Sequence, residues 1–242
     1  MIDRRSVFAG AAASLLGGST RGPPEAPLFG SGPLAGNILA AGFHAPPQPL
    51  SLPDTPLAGA RGIRKLSDLE GRTYLISLWA EWCAPCLAEA GDLAALGLEF
   101  GGPSFELIFV LTGSGKKLDL PAASALLAKY GAGGATLLVE PRGHDAVMQA
   151  LATQEFSPEL RAITKQDRGA SLPCNLLIDR RGRVRGRAFG SPTPVAPGAK
   201  TPMRPLDEAG KVKMLAEHRS TWATPAGREF VAALAAGVLE KS

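Results

Sequence analysis

The sequence predicts a single α/β domain, on three observations. The 242 residues are 45% apolar, which suits one domain with a real core once about 40 amino-terminal residues are set aside. Continuously apolar runs of strand length, such as Leu107-Ile108-Phe109-Val110-Leu111, alternate with helical patterns, as buried parallel strands and their connecting helices do. Two of the three cysteines, Cys83 and Cys86, stand two residues apart where a short apolar strand gives way to a helix.

The elements follow in order. Residues 1–45 read as an export signal and a flexible linker, and 46–242 as the domain. Asp3-Arg4-Arg5-Ser6-Val7-Phe8 precedes the Ala/Gly-rich run Ala9 to Gly18 and resembles a twin-arginine export signal, which implies a periplasmic location. That run is shorter than the roughly 18 apolar residues of a spanning helix. With no clean small-x-small cleavage site after it, a retained signal tethering the chain to the membrane stays open. Gly18 to Pro53, rich in Gly and Pro, reads as linker with little fixed structure. Tyr74 to Leu78 is a buried strand, Leu87 to Leu96 an amphipathic helix and Glu106 to Leu111 a second buried strand. Ala122 to Tyr130 is a helix, Thr136 to Val139 a short strand, and Asp145 to Leu151 opens a third helix with Val147, Met148 and Leu151 on one face. Residues 152–169 read as an insertion. Asn175 to Ile178 and Val184 to Phe189 form a hairpin, followed by a proline-rich excursion near 191–205. Thr224-Pro225 supplies an N-cap and a first-turn proline for a last helix with Phe230, Leu234 and Val238 on one stripe. Trp222 before it reads as a core anchor.

The dithiol carries the chemistry. At a strand-to-helix corner Cys83 lies beside unpaired helix-terminal N–H groups and the positive end of the helix dipole. Both favour a thiolate, the attacking species in disulfide exchange. Cys86, one turn later and less exposed, is placed to resolve a mixed disulfide. A zinc site would need a second ligand pair, and Cys174, His44, His144 and His218 have no finger-like spacing. A merely structural bridge over so small a loop would add little stability.

Two separated motifs carry a resemblance. Leu75-Ile76-Ser77-Leu78-Trp79-Ala80-Glu81-Trp82-Cys83-Ala84-Pro85-Cys86 resembles the active-site signature of the thioredoxin superfamily. Ser171-Leu172-Pro173-Cys174-Asn175-Leu176-Leu177-Ile178-Asp179 resembles the segment in which that fold places a cis-proline before a strand and hairpin. Leu66 to Arg72, and Glu89 three residues after Cys86, are similar to the TlpA/ResA-like extracytoplasmic thiol–disulfide oxidoreductases. The resemblance implies a thioredoxin-like fold with a central mixed sheet flanked by helices. It implies a cis bond before Pro173, and Glu89 as the group that moves a proton at Cys86. Trp82, Ala84, Pro85 and Leu172 become the surface that receives substrate. No cofactor is implied beyond the redox-active Cys83–Cys86 disulfide. The partners implied are protein disulfides, such as cysteine pairs awaiting haem or copper, and a membrane thiol reductase as electron donor. A disulfide oxidase or isomerase, or a copper(I) carrier using Cys83, Cys86 and Cys174, are the alternatives. The sequence departs from the pattern in two places. Ser77 stands where thioredoxin has a buried aspartate, and Ala90-Gly91 follow Glu89 where relatives often have a proline that kinks the helix. A solvated helix-surface carboxylate is the other reading of Glu89.

Charge excludes more than it assigns. The net charge of +4 is a mild surplus without the dense basic patch and interleaved aromatics of a nucleic-acid binder. Arg183, Arg185 and Arg187 alternate along one strand and read as a solvated edge that discourages strand pairing.

Overall fold

The structure, a computed structural model, describes residues 28–46, 50–140, 146–148, 151, 172–190 and 220–240. The export signal, the insertion at 152–169 and the excursion near 191–205 lie outside them. Seven strands form one sheet: β1 (Pro56–Gly59), β2 (Gly62–Lys65), β3 (Thr73–Trp79), β4 (Phe105–Leu111), β5 (Thr136–Val139), β6 (Cys174–Ile178) and β7 (Val184–Phe189). Their order is β2-β1-β5-β4-β3-β6-β7. β3, β4 and β5 run parallel, while β6 returns antiparallel to β3 and pairs with β7 as a hairpin. Helices α1 (Ala84–Phe100), α2 (Leu120–Lys129) and α3 (Pro225–Ala235) complete the fold.

Every residue of β3 is buried, because both faces of the sheet are covered and successive side chains alternate between them. Leu75, Trp79, Leu107, Phe109, Leu111 and Leu177 join residues of α1, α2 and α3 in one apolar cluster. Ile76, Leu78, Ile108, Val110, Cys174 and Leu176 face the other way, toward Leu57, Leu66, Val147, Met148 and Leu151. Residues 146–148 and 151 are helical, as the Val147, Met148, Leu151 stripe predicts. This is the thioredoxin-like architecture that the two motifs imply, with the Leu172–Pro173 bond cis immediately before β6.

α1 extends past both predicted ends, α2 begins earlier and stops at Lys129, and the last helix is shorter than its predicted stripe. α1 begins at Ala84 because Cys83 caps it and Pro85 fits its first turn. It runs unbroken through Ala90-Gly91, so the kink of relatives is absent. A Cβ at Gly91 would stand 2.8 Å from the Tyr130 carbonyl oxygen, so glycine there lets α1 approach the end of α2. α2 starts at Leu120, where Asp119 Oδ1 accepts the Ala122 N–H at 2.9 Å. α3 stops at Ala235, and Val238 falls instead in a short 3-10 turn after Gly237, whose φ is +82°.

Two expectations are corrected. The linker reading fails for residues 28–46. Phe29, Leu34, Leu39 and Phe43 are buried in the main core, with Phe29 edge-on to Phe230 at 5.7 Å and Phe43 stacked on it at 5.1 Å. Asn37 fixes the turn, accepting the Leu39 and Ala40 N–H groups and donating to the Ala226 carbonyl and Glu229. Glycine and proline shape this segment without freeing it, because apolar residues at the right spacing bury it. The arginine stripe is likewise a solvated edge only in part, exposed at Arg183, half-buried at Arg185 and buried at Arg187. His44 and Arg187 exchange backbone hydrogen bonds at 2.9 Å, so the amino-terminal segment covers β7. Arg187 is 5% exposed, and Arg183 and Arg185 both turn to Asp179.

Candidate active site

The parallel strands end where the dithiol begins. Trp79 closes β3 with its carbonyl accepting the Thr112 N–H at 2.9 Å, and Cys83 N–H reaches back to the Ala80 carbonyl at 3.0 Å. Cys83 is thereby held in an extended conformation as the N-cap of α1. Its Sγ accepts the Cys86 N–H at 3.3 Å. The two cysteines form a disulfide, S–S 2.02 Å with Cα atoms 5.3 Å apart. Both are 3% exposed, so the predicted difference in exposure is absent in this oxidised form. Position separates them instead: Cys83 caps the helix and receives its N–H, while Cys86 lies inside the first turn.

Glu89 is fully buried, which removes the solvated-surface reading. Its Oε2 accepts the indole N–H of Trp222 at 3.3 Å. Trp222 is the core anchor the sequence predicts, and it is also a hydrogen-bond donor to α1 that sequence reasoning missed. Ser220 Oγ caps the turn that carries it, accepting the Trp222 N–H at 3.1 Å. Gly227 is required beside it, since a Cβ there would meet the Trp222 carbonyl at 2.2 Å.

Of the proposed substrate surface, Trp82 is exposed, Pro85 and Leu172 are half-buried and Ala84 is buried. Trp82 is 52% exposed, yet its Nε1 donates to the Gly113 carbonyl at 2.7 Å, which fixes the ring beside the disulfide. Because Cys174 pairs with Leu78 and Phe189, Leu172, Pro173 and the exposed ring of Phe189 lie at the sheet edge from which the dithiol loop emerges. Pro173 is buried and its carbonyl accepts the Gly190 N–H at 2.8 Å.

Cys174 does not join the site. Its side chain belongs to the cluster on the opposite face of the sheet from Cys83 and Cys86, which removes the structural basis for a three-thiolate copper site. Among the described residues no group of three or more His, Cys, Asp or Glu is placed to hold a metal.

No protein-family model matches the chain. Solved structures similar to it include a protein of Chlorobium tepidum described as the thiol:disulfide interchange protein DsbE, at 20% identity and TM-score 0.42, covering 78% of this chain and 99% of that one. A pneumococcal exposed lipoprotein thioredoxin, from Streptococcus pneumoniae, is 23% identical at TM-score 0.37, covering 68% of this chain and 99% of its own. A secreted Mycobacterium tuberculosis disulfide oxidoreductase homologous to E. coli DsbE is 15% identical at TM-score 0.39, covering 67% and 95%. These are distant likenesses, and what the site can do follows from its own geometry.

Two more buried polar residues border the dithiol. Glu81, 6% exposed, accepts the Lys116 N–H through Oε1 at 2.9 Å, so Glu81 and Trp82 together pin the loop after β4. Asn175 is fully buried and stands opposite Ser77 in the β3–β6 register. Period-two alternation along β6 was the available signal: Asn175 shares a face with Leu177, toward α1, and a polar side chain in that row is out of place in a core.

Proposed function

We propose that the protein is an extracytoplasmic thiol–disulfide oxidoreductase that reduces disulfides in partner proteins. The observation that carries this reading is the Cys83–Cys86 disulfide at the start of α1, with the Cys86 N–H directed at Cys83 Sγ. In the reduced protein that N–H and the helix dipole favour the Cys83 thiolate. The thiolate attacks one sulfur of a substrate disulfide; that bond breaks, and the second substrate sulfur leaves as a thiolate and takes a proton. Cys86 then gives its proton to Glu89 and attacks Cys83 Sγ, the mixed disulfide breaks, and the remaining substrate thiol departs. Two electrons pass to the substrate and the dithiol becomes a disulfide.

The amino-terminal arginine pair supports a periplasmic location, and a retained signal would tether the chain to the membrane. A compartment without a reducing buffer requires an electron donor, which we assign to a membrane thiol reductase. Cysteine pairs awaiting haem or copper are the substrate class we propose. A Cys86→Ser chain should accumulate a mixed disulfide on non-reducing gels, and Cys83→Ser should not. Capture by Cys83→Ser alone reverses the roles, and capture by neither removes the reading. A dithiol potential near the roughly −270 mV of thioredoxin supports net reduction, whereas one near about −120 mV makes the protein an oxidase.

A further inference from the structure

Beneath the dithiol helix the sheet carries a patch of unsatisfied polar groups. On β3, Ser77 and Trp79 point to the same side as Leu75, toward α1, and Asn175 stands directly across from Ser77 on β6. Asn175 is fully buried and Trp79 is 1% exposed. Both ends of the Asn175 carboxamide and the Trp79 indole N–H have no hydrogen-bond partner among the described residues. Buried polar groups are normally paired, and three such atoms on neighbouring positions of one face demand a reason. A leucine at position 175 would continue the apolar row that Leu177 begins.

The layer over this face supplies one. Glu89 and Cys86 are carried there by α1, and Trp222 already donates to Glu89. During resolution one negative charge passes through a dry interior, first on the Glu89 carboxylate and then, once Glu89 has taken the proton, on the Cys86 thiolate, and an ionised group there is tolerated only if donors solvate it. Two idle donors and one acceptor on the facing sheet fit that demand.

We propose that Asn175 is a positioning residue for the dithiol: its carboxamide, with the Trp79 indole on the same face of the sheet, forms a buried polar seat that keeps Glu89 ionised and so ready to take the proton of Cys86. The inference rests on the exchange reading given above. Among the described residues, α1 itself brings the titratable Cys83 and Cys86 into this layer with Glu89. α3 and the turn before it bring Trp222 and Phe230 and hold Arg228 on Glu99 and Glu229 on Asn37. Among the described residues, the sheet brings the polar Ser77, Trp79 and Asn175, the amino-terminal segment brings Phe29 and Phe43, and the buried carboxylate Glu81 is bonded to the loop after β4.

The test uses the full chain with Asn175→Leu, a change that keeps the number and branching of side-chain heavy atoms and removes both hydrogen-bonding ends. Fold stability in urea should hold or rise, since an unpaired buried amide is lost. Glu89, followed by carboxylate infrared or carbon NMR titration, should titrate at higher pH, because donors to its charged form have gone. Resolution of a preformed mixed disulfide should slow about 10-fold at neutral pH and recover as pH rises. Formation of the mixed disulfide in a Cys86→Ser background should be unchanged. Trp222→Phe, which keeps the ring and deletes its N–H, should displace the Glu89 titration in the same direction. An unmoved Glu89 titration in Asn175→Leu, or equal slowing of both steps with lost stability, would overturn the seat. Absent exchange in the wild-type protein would overturn the proposed function instead, and the Glu89 titration still reads the seat by itself.

Discussion

Glu89→Gln is the sharpest perturbation of the proposed chemistry, because it removes a proton acceptor and keeps the shape of the side chain. Glu89 is fully buried and its Oε2 accepts the Trp222 N–H at 3.3 Å. A glutamine has the same shape and can present its amide oxygen to that indole, so neither packing nor the hydrogen bond is lost. What disappears is the base. We expect resolution of the mixed disulfide to slow by about 10- to 100-fold, at the low end of acid–base contributions and equivalent to roughly 1.4–2.7 kcal/mol of barrier. Attack by Cys83, which relies on the helix terminus, should be untouched. Stopped-flow measurement of the two steps, using a mixed disulfide prepared at Cys83 and a chromophoric leaving thiol, separates them. Its pH profile should lose the rise that Glu89 gives the wild-type protein. An unaltered resolution rate from mildly acidic to neutral pH would refute the reasoning, as would equal slowing of both steps.

Other perturbations address the frame around the site. Phe230→Ala removes the ring against which Phe29, Phe43 and Trp222 pack at 5.7, 5.1 and 6.1 Å and should cost about 3–5 kcal/mol by denaturant unfolding; a loss under about 1 kcal/mol would place the amino-terminal segment outside the cooperative core. Gly227→Ala should destabilise strongly, since its Cβ would fall 2.2 Å from the Trp222 carbonyl oxygen, and unchanged thermal unfolding would contradict that packing. Burial pushes the Asp179 carboxyl up, but the hydrogen bonds from the Arg183 side chain and from the Arg183 and Arg181 N–H groups outweigh it and hold the pKa below the ordinary value. The stabilisation is therefore complete above the ordinary aspartate pKa of about 4 and is lost as pH falls through the lowered one. Urea midpoints between neutral and strongly acidic pH should fall accordingly, and Asp179→Asn should flatten the acid limb; an equally steep limb in that variant would assign the loss elsewhere.

The strands, the dithiol corner and the cis-proline were legible because each rests on local chemistry: apolar runs, a helix cap, a short motif. What stayed hidden depends on partners distant in the chain. Nothing near Glu89 in the sequence indicates that Trp222 donates to it, since 133 positions separate them. The hairpin Pro56–Gly59 and Gly62–Lys65 was missed because its strands are only four residues long and carry little periodicity. Cys174 appeared close to the dithiol because it follows Pro173, yet one step along a strand reverses the face. The glycine- and proline-rich composition of residues 28–46 concealed Phe29, Leu34, Leu39 and Phe43, whose burial depends on α3.

That last dependence bears on how the molecule acquires its structure. The first described residues and the last belong to one cluster, Phe29 and Phe43 against Trp222, Phe230 and Leu239, so the contacts that close the core span almost the whole polypeptide. Such contacts raise contact order, and forming them requires closing a very long loop before any burial rewards it. Strand β7 meanwhile is paired at Arg187 with the backbone of His44. A nascent chain still lacking α3 would hold its amino-terminal segment undocked and an open strand edge beside it, the condition in which chains pair with one another. Folding of this domain is therefore tied to the synthesis of α3, and the dithiol helix receives the Trp222 contact only once that part of the chain has been made.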